Sequence, residues 1–401
     1  MTRRRIRGST QDDVRRHNLG TILAEVHRHG CRSRAELTAE MGLNRSTIGD
    51  LVAELAEAGL VLERSASARG RAGRPSLEVM PCPDAAYVLA VDLGVKHLVV
   101  ARVGLGGRVL DRVEADSGRD WSELDATVDA IVDTCRRLRD EAPADARCVG
   151  VGLSVPGVVR QEDGLLRFAP NLGWIDLPLG ARLGERLDLP AFLANDADLG
   201  ALAEHSRGAA AGYDHVVVIS GEIGIGGGIL VGGRPLRGRG GYAGEIGHLR
   251  VNPEGRPCRC GSVGCLETEA GVEALLSAAG RPEDGGMEAY RAVLAQVTAG
   301  EPKAVTAAAR VARWLGIGAG MLVNTFNPDM VVLGGPLGEL FTVTEDVVRD
   351  TVRRSSLVAP REQVRLAVSA LGPDAQVIGA AELAFAPLLE DPIGVLTRLA
   401  A

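Results

Sequence analysis

Four residues in one short stretch have the types and spacing to hold a metal ion: His248, Cys258, Cys260 and Cys265, in the order His-x9-Cys-x-Cys-x4-Cys. Three thiolates and one imidazole form the soft four-donor set that zinc prefers, and with every position filled by protein no open site remains for chemistry. The expected metal is therefore a structural Zn²⁺. A chance cluster of buried cysteines is the competing reading, but thiols this dense repel as thiolates or oxidise when no metal holds them. Two carboxylates flank the motif, Glu245 three residues before His248 and Glu267 two after Cys265, so ligation would hold both in fixed positions. A second stretch, VISGEIGIGGGILVGG from Val218 to Gly233, has the glycine density of a loop that wraps backbone amides around phosphate. Yet Glu222 puts a carboxylate where the anion would lie.

These groups need a scaffold. With 401 residues and 46% hydrophobic content the chain can bury two or three cores, at roughly 100–200 residues per domain. No apolar run approaches the ~18 residues of a membrane span, and the basic start MTRRRIRGST lacks the apolar segment of a secretory signal, so a cytoplasmic protein is expected. In that reducing compartment the seven cysteines are poor evidence for disulfides. Charge is uneven: residues 1–80 hold 14 arginines against 10 acidic residues, a net +4, whereas the rest carries −11. A basic block on an acidic body is the pattern of a nucleic-acid-binding head joined to a part that does not touch nucleic acid.

In the head, residues 12–29 place Val14, Leu19, Ile22, Leu23 and Val26 near helical spacing and stop at Gly30. SRAELTAEMG then opens with Ser33 and Glu36 as a capping box and closes at Gly42, and Asn44 caps a third helix whose Ile48, Leu51, Val52 and Leu55 face inward. The result is a helix-turn-helix with Arg45, Ser46, Thr47, Gly49 and Asp50 at the outward amino end, the end that enters a major groove. Two β-prone runs around an arginine-rich tip follow, a wing that would set Arg64, Arg69, Arg71 and Arg74 against phosphates. The GRAGRP segment suits a minor groove and equally suits a solvated linker. A small helical protein–protein module is the bland alternative for the whole head.

From Tyr87 one unit occurs twice: strands separated by glycine turns, a helical stretch such as Trp121 to Arg139, then a strand running into a glycine-rich turn, in CVGVGLSVPG and again in DMVVLGGPLG. Two such α/β lobes would face each other across a ligand cleft. The boundaries expected are 1–80 for the head, 81–197 for the first lobe and 198–401 for the second lobe with the metal motif, the C-terminal helix packing back on the first lobe.

VDLG at 91–94, SVPG at 154–157, NLGW at 171–174, NDAD at 195–198, GEIGH at 244–248 and CRCGSVGCLE at 258–267 resemble the ROK family of repressors and sugar kinases. The resemblance covers the chain after Tyr87, and the winged helix matches the repressor branch. It implies a two-lobed actin-like ATPase (ribonuclease H-like) fold behind a winged helix-turn-helix. It also implies that Asn171, Asn195, Asp196, Glu245, His248 and Glu267 surround the hydroxyls of a sugar, where a missing hydroxyl leaves a buried partner unsatisfied. In kinase members Asp196 would be the base that deprotonates the attacking hydroxyl.

The phosphate motifs depart from the family. Asp-x-Gly-Gly-Thr is here Asp92-Leu93-Gly94-Val95-Lys96, and Gly-Thr-Gly-Ile-Gly is Glu222-Ile223-Gly224-Ile225-Gly226. A carboxylate ~5 Å from a triphosphate costs on the order of 1–3 kcal/mol at an effective dielectric of about 20–80. Lys96 restoring positive charge, or Glu222 ligating Mg²⁺, are the routes by which nucleotide binding would survive. The expectation is a non-enzymatic, sugar-responsive regulator, most simply a repressor, with Asp196 a vestigial base. It would bind operator DNA as a homodimer or dimer of dimers. The rivals are a sugar kinase with an appended DNA head and a carbohydrate-binding scaffold.

Overall fold

The computed structural model describes residues 10–65, 77–115, 121–221 and 224–400. Helix α1 (Gln11–His29) starts at Thr10, which forms a reciprocal capping box with Asp13, and stops at Gly30 in a positive-φ conformation. Its burial begins only at Leu19, so Val14, expected on the inner stripe, is 49% exposed: the first two turns project past the elements that cover the rest. A short strand β1 (Arg32–Ser33) leads into α2 (Arg34–Met41), capped by Ser33 and Glu36. Gly42 turns the chain in the left-handed region, and Asn44 caps α3 (Arg45–Glu57), which buries Ile48, Leu51, Val52 and Leu55. Strands β2 (Val61–Ser65) and β3 (Leu77–Pro81) pair antiparallel, with β1 on the far edge of β3. Arg69, Arg71 and Arg74 lie outside the described residues.

The first lobe comprises β4 (Ala86–Leu93), β5 (Leu98–Gly104), β6 (Arg108–Ala115), α4 (Leu124–Asp140) and β7 (Arg147–Val155). A small three-stranded sheet follows, β8 (Val158–Arg160), β9 (Leu165–Ala169) and β10 (Trp174–Leu177), and then α5 (Leu179–Leu187) and β11 (Ala191–Asn195). Helix α6 (Asp196–Arg207) leads to the second lobe. There β12 (Val216–Ser220), β13 (Gly226–Val231) and β14 (Arg234–Pro235) precede a helical series: α7 (Leu266–Ala270), α8 (Val272–Ala278), α9 (Gly286–Thr298) and α10 (Pro302–Phe326). β15 (Met330–Leu333), α11 (Gly335–Ser355), α12 (Val358–Gln363) and β16 (Arg365–Val368) complete the lobe. The two main sheets run β6-β5-β4-β7-β11 and β14-β13-β12-β15-β16, three antiparallel strands then two parallel ones in each. The duplication read from the sequence is thus a mixed α/β two-lobed fold.

Helices α13 (Ala375–Glu390) and α14 (Pro392–Ala400) come back to the first lobe, α13 lying on β4, β7 and α6 and against α1. Two glycines set these distances. A Cβ on Gly20 of α1 would stand 2.5 Å from the Leu389 carbonyl, and one on Gly379 of α13 would stand 2.0 Å from that of Leu199 in α6. Consequently one apolar core runs without a break through Leu23, Ile48 and Val61 of the head, Val88 and Val103 of the first lobe, and Phe385 and Leu396 of the last helices. The core does not break at residue 80.

Candidate functional site

β11 runs straight into α6 at Asn195, whose Oδ1 accepts from the amides of Ala197 (2.8 Å) and Asp198 (3.3 Å) and whose Nδ2 donates to the Gly157 carbonyl (2.8 Å). Capping and loop anchoring thus occupy the Asn195 side chain, which fixes the two acids that follow it. Burial raises the Asp196 carboxyl to about 6, against the opposing Ala197 amide and with the Asp92 carboxylate adding to the rise. Asp198, which sequence reasoning did not single out, is pushed by burial to about 7; Arg237 opposes this, and Asp196 and Glu245 reinforce it. Its signal was in the sequence, two residues after Asp196 in NDAD, but its burial and the approach of Arg237 and Glu245, far along the chain, appear only in the folded molecule.

Because the folded state raises the Asp198 pKa above the ordinary value of about 3.9, its contribution to stability is fully present below pH ~4 and is lost as pH rises through about 7. Asp198→Asn is therefore expected to stabilise the protein by roughly 1–3 kcal/mol at pH 8 and by little at pH 4.5. Chemical unfolding at the two pH values checks this, and an equal effect at both would contradict it.

The glycine run of β13 has a packing purpose. A Cβ on Gly226 would meet that of Ala197 at 2.9 Å, one on Gly227 would meet Ile246 Cδ1 at 2.0 Å, and one on Gly228 would meet the Ala201 Cβ at 2.3 Å. The strand is wedged between α6 and the segment that carries Glu245 and His248. Glu222 and Ile223 lie outside the described residues.

That segment leads to the metal-ligand set. His248 Nδ1 is 3.7 Å from Cys258 Sγ, Cys260 Sγ is 3.7 Å from Cys265 Sγ, and the four ligand atoms lie within 4.8 Å of one another, a cluster able to coordinate a metal. The loop closes on Gly264, at φ 65, where a Cβ would sit 1.5 Å from the Asn252 carbonyl oxygen. Glu267 bridges outward: Oε1 accepts from Cys258 Sγ (3.4 Å) and Oε2 from the Ile225 amide (3.4 Å), so it joins the cluster to the glycine loop. Asn195, Asp196, Glu245, His248 and Glu267 are thereby tied to one region by α6, β13 and the cluster. Asn171 is exposed on the β9–β10 turn. Strand β9, which leads into that turn, packs its Phe168 carbonyl on Gly157, whose own carbonyl accepts from Asn195 Nδ2.

At the β4–β5 turn, His97 Nε2 lies 3.0 Å from Asp92 Oδ2, and a Cβ on Gly94 would be only 2.1 Å from the imidazole. The ring fills the space over Gly94 in the first glycine motif. In the head, Arg45 and Ser46 are exposed at the amino end of α3. Thr47 is half-buried, and both its amide and the Ser46 hydroxyl donate to Asn44 Oδ1. Gly49, expected to face outward, is half-buried under the Arg34 guanidinium. Arg64 pairs with Glu78 across the β2–β3 ladder at 3.1 Å.

Similarity to known proteins follows the same architecture. A putative xylose repressor of Caldicellulosiruptor sp. (strain Rt8B.4) is 30% identical over 94% of this chain and 98% of its own. A glucokinase of Streptomyces coelicolor is 31% identical over 76% of this chain and 98% of its own. The crystal structure of a ROK family transcriptional regulator, a homolog of the E. coli MLC protein, superposes with a TM-score of 0.79 at 28% identity, covering 97% of this chain and 99% of that one. The chain is thus related to sugar regulators and sugar kinases alike. Residues 88–386 match the family model described as "ROK family", a span that takes in both main sheets, α6 and the His/Cys cluster, and the chain belongs to the ROK family.

Proposed function

We propose that this chain is a sugar-responsive, DNA-binding transcriptional regulator, a repressor of carbohydrate-use genes, and that it does not phosphorylate its sugar. The observation that carries the reading is the helix-turn-helix built into the same core as the lobes, with Arg45 and Ser46 exposed at the amino end of its second helix. Coverage supports it: the glucokinase leaves about a quarter of this chain unmatched, whereas the putative xylose repressor leaves 6%. Arg45, Ser46 and Thr47 read base edges, and Arg64 and the arginines of the tip, Arg69, Arg71 and Arg74, hold phosphates. Two copies on a two-fold axis set two heads on a palindromic operator in the cytoplasm. Among the described residues no helix is long and apolar enough to cross a membrane.

In the cleft, Asp196, Glu245, His248 and Glu267 bind sugar hydroxyls, with Asn171 at the edge and Asn195 setting the geometry. The metal is Zn²⁺: thiolates ~2.3 Å from a tetrahedral centre stand about 3.8 Å apart, against 3.7 Å between Cys260 and Cys265. When bound it would supply no reactive position; it would fix His248 and, through Cys265 at the start of α7, the turn that carries Glu267. The kinase reading is favoured by Asp196, a buried carboxylate raised to about 6. Against it stand Val95 and Lys96 in the first phosphate motif and the His97 ring over Gly94.

The test uses a duplex enriched from random DNA by the wild-type protein, with D-xylose and D-glucose as effectors. Asp196→Asn is expected to keep operator affinity within about threefold while losing a charged hydrogen bond worth about 1.5–3 kcal/mol, roughly 10- to 100-fold in sugar affinity. An unchanged sugar response in Asp196→Asn would place the ligand elsewhere.

A further inference from the structure

Helix α6 belongs to neither lobe alone. Its amino end carries Asp196 and Asp198, one side is packed by β13 of the second lobe, and another by α13 on the first. Eleven residues after Asp196, ~16 Å along a helix axis at about 1.5 Å per residue, it ends at Arg207. There one guanidinium holds three separate elements. Nε donates to Glu382 Oε1 of α13 (2.6 Å), Nη1 to the Gly106 carbonyl in the β5–β6 turn (2.8 Å), and Nη2 to the His27 carbonyl (3.0 Å). His27 lies in the last turn of α1, whose final carbonyls have no partner within the helix, so Arg207 caps the first helix of the head.

The rest of the joint is complementary. His27 is fully buried; its Nδ1 accepts from the Gly106 amide (3.1 Å), which leaves the proton on Nε2, 3.2 Å from Glu382 Oε1. Burial works to raise the Glu382 carboxyl, but His27 and Arg207 overcome it and hold it at about 2. Gly107, at φ 70, keeps the path open: a Cβ there would be 2.1 Å from Arg207 Nε. Beyond the joint, a cavity of about 510 Å³ separates the first turns of α1, at Asp13 and Arg16, from Pro387 and Asp391. The head is therefore pinned at the carboxyl end of α1 with space beside the amino end.

We infer that Arg207, with Glu382 and His27, is the joint through which the sugar cleft sets the orientation of the DNA-binding head. The inference rests on the regulator reading and names its route of regulation. A sugar gripped between Asp196 and the second-lobe carboxylates shifts α6 along with the closing lobes. The bonds of Arg207 then carry that shift into α13 and α1 as one rigid displacement. Arg207 is a positioning residue, since it touches neither sugar nor DNA.

The test compares the wild type with Arg207→Met, Arg207→Lys and the near-isosteric Glu382→Gln on the enriched duplex. The effector is whichever of D-xylose, D-glucose and N-acetylglucosamine raises the wild-type melting temperature. Sugar affinity and sugar-free DNA affinity are each expected to stay within about threefold of wild type. The ratio of DNA affinities with and without sugar, about 5- to 150-fold for allosteric coupling of ordinary size, is expected to fall below about 2-fold in Arg207→Met and Glu382→Gln and to be intermediate in Arg207→Lys. A folded Arg207→Met or Glu382→Gln that keeps the wild-type ratio overturns the joint, and so does loss of sugar-free DNA binding, which would make these residues supports of the head alone. A wild type that binds no DNA, or responds to none of the sugars, instead overturns the regulator reading itself and removes the ground for the joint.

Discussion

Purified protein supplied with ATP, Mg²⁺ and D-glucose or D-xylose is expected to release no ADP above background, a deficit of three orders of magnitude or more against ordinary turnover of ~1–10³ s⁻¹. Phosphoryl transfer depends almost wholly on positioning and on neutralising charge, so a site that cannot hold the phosphates gains little from a well-placed base. Here the first glycine turn is occupied by the protein's own imidazole, held by Asp92 at 3.0 Å. The glycines of β13 are taken up by contact with α6 and Ile246. A coupled ADP assay settles the matter, and turnover near 1 s⁻¹ would restore the kinase reading despite both observations.

Removal of the metal is expected to have the second large effect. Cys258→Ser combined with Cys265→Ser, or prolonged chelation, should lower the melting temperature by on the order of 10 °C and abolish sugar binding, because a structural zinc contributes folding free energy directly. Cys265 is fully buried at the start of α7, and Cys258 is likewise buried. Cys265 stands two residues before Glu267, whose Oε2 accepts from the Ile225 amide, so loss of the ion is expected to loosen the loop as well as the cluster. Metal analysis and thermal melts of the double variant check the prediction. A metal-free variant with wild-type melting and sugar affinity would show that the cluster is dispensable.

The local features of this molecule were legible in the sequence for a physical reason: each is decided within a few residues. The capping pairs Ser33–Glu36 and Asn44–Thr47 form where the spacing puts them, and the four-donor set closes over 18 residues of one loop segment. The repeated lobes were legible because the strand and turn pattern occurs twice. What escaped depends on residues far apart in the chain. His27 meets Glu382 across 355 positions, and nothing in the periodicity of α1 distinguishes a histidine that seals a joint from one that faces solvent. Val14 fits the apolar stripe as well as Leu19 does, yet among the described residues it is left half exposed. The glycines of β13 look like a phosphate loop because close backbone packing and anion cradling both need a missing Cβ.

The core shared by the first and last helices also governs how the protein is made. Residues 19–61 emerge from the ribosome more than 300 residues ahead of Phe385, Leu388 and Leu396, which share their core. Until then α1, with Ile22, Leu23 and Val26, has α3 and β3 to pack on but lacks the surface of α13. A partly synthesised chain thus has the helix-turn-helix without the whole of its core, and its exposed apolar surface is a natural client for chaperones. If the proposed function holds, operator occupancy would count finished molecules only, since any chain cut short of α13 lacks part of the core that its helix-turn-helix shares with the lobes.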